Sequence, residues 1–301
     1  MPEPPSYSTP ATDALCAEIA KKSHGVCFLG FSRGKDSICT WLQLTKFFRR
    51  IIPFHVTPVP GLSYVDAALD YYEDMMNNTH ILRLIDGGVY GNLMFNIYQT
   101  LQQSYELQIK YADYFKEYDN LDIIDRLRLE FHLPNAWCAF GITASDSIDR
   151  RIYVMNVAGK NKGNKSFYPC YDWEHDAILD TVEKSGLLLP SEYKYTKHSM
   201  TSYPCATYNK IWREHYPADY AKMLSIFPFM EAKTFREDLL DRAAAEEREL
   251  RGLDPNEEPE DPNAETANGF DDNELGMGET AYKRGEEPEM EVAENADGDD
   301  E

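Results

Sequence analysis

The chain has 301 residues, 43% of them hydrophobic, which is enough for a substantial core in one large or two ordinary domains. No apolar run approaches the roughly 18 residues of a membrane span, and the N-terminus has no basic segment of the kind that opens a signal peptide. Six scattered cysteines without a CxxC pair argue against zinc, an iron–sulfur cluster or a disulfide framework. These features predict a cytoplasmic protein that does not enter a membrane.

The acidic charge is concentrated at the C-terminus. Residues 251–301 carry 19 Asp and Glu against 3 Lys and Arg, so most of the net charge of −22 lies there. With so few large apolar side chains, this stretch is expected to be a disordered acidic tail. Such a tail solubilises the protein, attracts a basic partner subunit, or mimics the charge of nucleic acid. Binding of nucleic acid itself is not indicated by the charge.

The body of the chain alternates between short apolar runs and segments with helical spacing. In chain order these predict helix 11–24, strand Val26–Leu29, helix Ile38–Arg50, strand Ile51–Val56, helix Tyr64–Met76, strand Ile81–Ile85, a helical insertion over 90–130, and strand Ala136–Ile142. The alternation predicts an α/β fold: a parallel twisted sheet with helices on both faces and ligands at the carboxyl ends of the strands.

The first strand runs into a turn that has the composition of an anion site. Gly34 allows close backbone approach, Lys35 adds positive charge, and Ser32 and Ser37 add hydroxyl donors. A helix that begins at such a turn also contributes unpaired N–H groups and the positive end of its dipole. The turn is not a Walker A loop, because only three residues separate Gly30 from Gly34 and no hydroxyl residue follows the lysine directly.

A second polar segment follows the strand at Ala136–Ile142. It begins at Gly141 and continues with hydroxyl groups, Asp146, Ser147 and two arginines, Arg150 and Arg151. It has two interpretations: a second wall of a nucleotide site, or an Asp/Ser helix cap followed by exposed arginines.

Three sequence blocks, in order, resemble the phosphoadenosine-phosphosulfate (PAPS) reductase family within the PP-loop ATP pyrophosphatase superfamily. The first is Ser32-Arg33-Gly34-Lys35-Asp36-Ser37, which is most similar to the loop of the sulfate adenylyltransferase small subunit. The second, Gly141 to Arg150, is similar to the family's Gly-hydrophobic-Arg-x-x-x-Glu-Ser-x-x-Arg block. The third contains Pro169 through Trp173, Asp176 to Pro190, Tyr193 and Cys205.

The resemblance implies an adenine nucleotide alpha hydrolase-like domain over residues 11–250, between a flexible N-terminus (1–10) and the tail (251–301). It implies that the nucleotide is held by Ser32, Arg33, Gly34, Lys35, Ser37, Gly141 and Ser147. It also implies catalytic roles for Lys35, Asp36 and Arg150, the last as a cationic clamp. Asp36 is the candidate Mg²⁺ ligand, with an equal claim to a structural role as a capping carboxylate. The expected cofactors are ATP (or PAPS or adenylyl sulfate, APS) and Mg²⁺.

The departures from the family pattern leave three hypotheses. Arg33 stands where many relatives have a second glycine, Thr143 replaces the first arginine of the second block, and no cysteine follows Cys205. The leading hypothesis is an enzyme that splits ATP between its α- and β-phosphates in sulfur-related or nucleic-acid-modification metabolism. The alternatives are a PAPS or APS reductase that uses an external thiol, and a non-catalytic nucleotide-binding subunit whose tail recruits a partner.

Overall fold

The structure, a computed structural model, describes residue 5 and residues 7–57, 59–85, 123–196, 199–200, 206–227 and 230–252. Its strands form one sheet in the order β3-β2-β1-β4-β6-β5. Their bounds are β1 Val26–Gly30, β2 Arg50–Thr57, β3 Leu82–Ile85, β4 Trp137–Phe140, β5 Lys160–Asn161 and β6 Ser166–Phe167. All neighbouring pairs are parallel except the edge pair β5–β6, which is antiparallel.

The helices connect these strands and then form a C-terminal group. Their bounds are α1 Pro10–Lys22, α2 Lys35–Thr45, α3 Ser63–Met75, α4 Ile123–Glu130, α5 Ile148–Asn156, α6 His175–Ser185, α7 Ala206–His215, α8 Pro217–Ile226 and α9 Met230–Leu250. A 3-10 turn covers Ser191–Lys194. None of the helices in the described ranges is both long and apolar enough to cross a membrane.

Alternate side chains of the central strands bury into two separate apolar clusters. Cys27 and Leu29 of β1 point to the cluster that α1, α2, α3 and α6 cover, whereas Val26 and Phe28 point to the cluster that α4 covers. The period of two in a strand explains this split, because successive side chains face opposite sides of a sheet. The predicted α/β architecture with helices on both faces is therefore confirmed.

Two local predictions differ from the structure. The helix predicted over Ile38–Arg50 begins one turn earlier, at Lys35, because Gly34 serves as the N-cap. It also ends earlier, at Thr45, and Arg50 is the first residue of β2. The predicted all-parallel sheet ends in an antiparallel hairpin, because the short turn between β5 and β6 cannot make the long crossover that parallel strands need. Of the insertion predicted over 90–130, residues 90–122 lie outside the described part, and α4 occupies its end.

The order of the strands reverses beside β1. β2 and β3 extend the sheet on one side of β1, and β4 pairs with its other side. In open α/β sheets, the crevice outside the carboxyl ends of the strands at such a reversal is where ligands bind. The loops that follow β1 and β4 border this crevice.

Candidate functional site

The turn after β1 and the chain after β4 meet at this crevice. β1 ends at Gly30 and α2 begins at Lys35, so Lys35 and Asp36 lie in the first turn of a helix. A Cβ placed on Gly141 would lie 2.7 Å from the Asp36 carbonyl carbon and 2.7 Å from the Ser37 nitrogen. Only glycine therefore allows the chain after β4 to approach the α2 backbone this closely.

The serines of the turn bond to the turn itself. The Ser37 hydroxyl donates to the Gly34 carbonyl at 2.8 Å, and the Ser32 hydroxyl donates to Ser37 Oγ at 3.2 Å. Ser37 is buried, whereas Ser32 is exposed. The two hydroxyls thus brace the turn, and Ser32 is the one that solvent reaches.

Lys35 and Asp36 form an ion pair at the mouth of the site. Lys35 Nζ lies 2.9 Å from Asp36 Oδ2. Burial by itself would lower the pKa of Lys35, but the charges of Asp36 and Asp146 raise it above its usual value. Burial raises the pKa of Asp36; the Lys35 ammonium opposes this shift and the Asp146 charge adds to it. One ammonium group therefore lies close to two carboxylates.

The segment after β4 caps a helix, as one of its two interpretations predicted, and the nucleotide-wall interpretation stays a prediction. Ser147 is the N-cap of α5, and its hydroxyl accepts from the Arg150 amide at 3.2 Å. Asp146 Oδ2 accepts from the Thr143 amide and from the Arg150 guanidinium, both at 3.0 Å. The capping role of Ser147 leaves Asp146 and Arg150 as the charged groups of this wall.

The Arg33 side chain does not point to where the predicted contact with the nucleotide would lie. The side chain is 2% exposed, and its NH1 group lies 2.6 Å from Glu192 Oε1. The guanidinium also donates to the Met200 carbonyl at 3.1 Å and lies over the Tyr64 ring. This buried pairing removes the side chain from the mouth of the site, since an arginine cannot hold both Glu192 and a phosphate from that position. Only the backbone of Arg33 borders the site.

Sequence reasoning missed the residues that cover the turn. The Lys35 amide donates to the Tyr193 hydroxyl at 3.1 Å, and Ser199 Oγ lies 3.1 Å from where a Gly34 Cβ would be. Tyr193 was part of the third block, so a signal for its proximity existed. Glu192 offered no such signal, because nothing local marks an acidic residue as the partner of an arginine 159 residues away.

The cysteines in the described ranges are buried: Cys16, Cys27, Cys39, Cys138 and Cys170. Burial raises the pKa of Cys16 to about 12 and that of Cys39 further. A nucleophilic cysteine needs a lowered pKa and access to solvent. All five thiols are buried and so lack that access to solvent. Cys205 lies outside the described residues.

Trp173 and His175 flank the start of α6. The Trp173 indole N–H donates to the Thr12 hydroxyl at 3.3 Å, and its side chain is 1% exposed. His175 is the first residue of α6. Trp173 therefore links α1 to the chain before α6 within the core.

A separate small cavity lies at the ends of β2 and β3. It has a volume of about 160 Å³, and His55, Thr57, Asp66 and Arg83 are its polar lining residues. Ligand pockets for small molecules are usually about 300–1,000 Å³, so this cavity is too small for a whole nucleotide. His55 Nδ1 lies 2.8 Å from the Phe31 carbonyl, which joins the cavity wall to the turn after β1.

Among known proteins, this chain has a weak structural similarity to a solved structure. No protein-family profile and no curated protein matches the chain. Among solved structures it is similar to the U34-tRNA thiolase NcsA from Methanococcus maripaludis with its [4Fe-4S] cluster, at 16% identity and a TM-score of 0.38 over 71% of this chain and 76% of that one. A likeness this weak assigns neither a fold nor a function.

The comparison does correct one expectation. The expected absence of an iron–sulfur cluster rested on the lack of a CxxC pair, whereas the thiolase structure contains such a cluster. The expectation is therefore withdrawn. Within the described ranges, no group of three or more His, Cys, Asp or Glu side chains could hold a metal ion.

Proposed function

We propose that this chain is an adenine-nucleotide-binding enzyme that cleaves ATP between its α- and β-phosphates and releases pyrophosphate. The observation that carries the proposal is the position of Ser32–Ser37. This turn follows β1, opens α2 and lies where the strand order reverses. A helix N-terminus with a lysine in its first turn is suited to phosphate groups, and the strand reversal supplies the crevice.

The charges around the turn suit transfer of an adenylyl group. Such a reaction places negative charge on the α-phosphate and on the departing pyrophosphate, and fixed donors stabilise that charge. In our proposal the α2 amides and Lys35 hold the pyrophosphate. Arg150 lies 3.0 Å from Asp146 and is the second cation beside the transferred phosphate. Lys35 exchanges its bond to Asp36 for one to a phosphate oxygen.

The carboxylates fit a role in holding Mg²⁺. Asp36 and Asp146 both lie close to Lys35 and supply the hard oxygen ligands that this ion takes from proteins. Mg²⁺ usually completes its coordination with water and substrate phosphates. When bound, it would neutralise charge on the phosphates. Asp36 becomes available for this role once Lys35 turns to the nucleotide.

The test is ATP affinity measured by titration calorimetry. Lys35→Ala removes a charge-assisted hydrogen bond worth about 1.5–3 kcal/mol, so affinity should fall roughly ten- to a hundredfold. Lys184→Ala is the matched control, because the Lys184 side chain is 60% exposed and, among the described residues, pairs with Asp180 on the same helix. Unchanged ATP affinity in a folded Lys35→Ala protein would refute the assignment.

A second assay separates the enzyme hypotheses. Pyrophosphate release from ATP in the presence of a set of oxyanion, base and amino-acid acceptors supports cleavage between the α- and β-phosphates. Sulfite release from PAPS or APS with an added thiol would instead support the reductase. Nucleotide binding with neither product would favour the non-catalytic subunit.

A further inference from the structure

The turn after β1 is covered by a segment that we call the clasp, which comprises Ser191–Thr196 together with Ser199 and Met200. We propose that the Tyr193 hydroxyl holds the place of a phosphate oxygen on the Lys35 amide, and that binding of the nucleotide phosphates displaces it and opens the clasp. This inference rests on the proposed function and adds the residues that control access to the same site.

Tyr193 occupies an amide that an anion would otherwise take. The Lys35 amide belongs to the first residue of α2, and its N–H donates to the Tyr193 hydroxyl at 3.1 Å. The N-cap residue, Gly34, has no side chain to cap the helix, so the cap comes from the clasp. Burial raises the pKa of Tyr193, which keeps the phenol neutral at physiological pH. A charged phosphate oxygen forms a hydrogen bond roughly twice as strong as a neutral one and therefore outcompetes it.

Arg33 holds the clasp against the turn. Its backbone has a φ of 71°, in the left-handed region that a side chain disfavours. From there the guanidinium reaches Glu192 and the Met200 carbonyl, at 2.6 and 3.1 Å. The position therefore keeps the backbone shape that a glycine would supply, and the arginine adds an anchor for the clasp.

The anchor is incompletely bonded. Among the described residues, Arg33 Nε and Glu192 Oε2 are buried without a hydrogen-bond partner. A buried polar network that is only partly satisfied stabilises its segment less than a complete one. Within the clasp, the Tyr195 and Thr196 amides donate to the Glu192 carbonyl at 2.9 and 3.0 Å. Their exchange with solvent reports on whether the clasp keeps this turn, which Arg33 holds in place through Glu192.

Calorimetric titration of the full chain with pyrophosphate tests the displacement. Tyr193→Phe removes the competing hydroxyl and leaves the ring. Pyrophosphate should then bind roughly two- to tenfold more tightly, which is the change in affinity that corresponds to one neutral hydrogen bond. Tyr195→Phe is the matched control in the same 3-10 turn region, because Tyr195 is 43% exposed and stacks on His215. Its affinity should equal that of the wild type. Equal or weaker binding by Tyr193→Phe would overturn the displacement.

Hydrogen exchange without any ligand tests the anchor. Arg33→Gly keeps the left-handed backbone accessible and removes the guanidinium, so the Tyr195 and Thr196 amides should exchange faster than in the wild type. Saturating pyrophosphate should speed the same amides in the wild type. Unchanged exchange in both experiments would overturn the clasp. If the wild type binds neither ATP nor pyrophosphate, the proposed function fails as well; if it binds both without these effects, only the clasp fails.

Discussion

Backbone geometry constrains which residue can stand at two positions of the candidate site, 141 and 33. Gly141 has no Cβ because one would overlap the backbone of Asp36 and Ser37. Arg33 has a side chain although its φ of 71° favours glycine, and a buried ion pair with Glu192 compensates for that strain. At position 141 the close approach of the two backbones therefore requires glycine. At position 33 the ion pair with Glu192 favours arginine despite the left-handed backbone.

The first prediction is that Gly141→Ala disturbs both stability and nucleotide binding. The added Cβ would lie 2.7 Å from backbone atoms of α2, which cannot move aside as a flexible side chain can. Overpacking of this kind costs about 1–3 kcal/mol in the free energy of unfolding. Denaturant unfolding and ATP calorimetry should both show the loss. Gly163→Ala is the control, because its Cβ would meet only the Asn161 side chain, at 3.3 Å. Wild-type behaviour of Gly141→Ala would mean that the two segments lie farther apart.

The sequence predicted which residues gather at the turn but not every partner. Ser32, Gly34 and Lys35 lie at the strand–helix junction as expected, because an apolar run followed by a polar glycine turn is a local signal. The Arg33–Glu192 pair was not predictable, since it depends on how a distant segment crosses the turn. The roles assigned to these residues in nucleotide binding remain predictions.

At the scale of elements, α3 takes its N-terminal cap from another helix. Its N-cap residue, Leu62, has no capping side chain. Asp219 of α8 accepts instead from the Ser63 amide at 2.7 Å, the Ser63 hydroxyl at 2.7 Å and the Tyr64 amide at 3.3 Å. The C-terminal helices are thereby joined to the helix beside the ends of β2 and β3.

The second prediction is that Asp219→Ala lowers the free energy of unfolding by about 1–2 kcal/mol, the upper range for an N-cap. Asp219 is 3% exposed, so water does not readily replace the lost bonds. Chemical denaturation measures the change. Asp149→Ala is the matched control, because Asp149 is an exposed acid in the first turn of α5 and tests the helix dipole without a cap. Equal losses in the two variants would assign the effect to the dipole alone.

Strand prediction succeeded where apolar side chains are continuous and failed where they are not. β1 and β2 were predicted within two residues of their observed bounds because they are buried at the centre of the sheet. β5 and β6 have two residues each, and β5 is Lys160–Asn161, so no hydrophobic pattern marks them. β6 forms because β4 offers it a free edge, and β5 then pairs with β6, so the cause of both strands is tertiary.

At the scale of the whole molecule, one part of the chain forms the sheet and the candidate site, and another part carries most of the negative charge. The sheet and the candidate site lie within residues 7–200, and α7, α8 and α9 extend the described chain to Gly252. Residues 253–301, which lie outside the described part, hold 19 of the 52 acidic residues and 2 of the 30 basic ones. The rest of the chain is close to charge balance.

The last prediction is that truncation after Gly252 leaves the fold and ATP affinity unchanged. The removed residues have few large apolar side chains, too few to offset an ordering cost of roughly 1–2 kcal/mol per residue for the backbone alone. Their like charges also repel one another and favour an extended chain. Thermal unfolding and ATP calorimetry of the full and truncated chains should agree, whereas salt-sensitive association with a basic partner should weaken. A truncated chain that melts cooperatively at a lower temperature would show that the acidic segment docks on the body. Tighter ATP binding after truncation would place that docking at the turn after β1, where the tail carboxylates would compete with phosphates for Lys35 and the α2 amides.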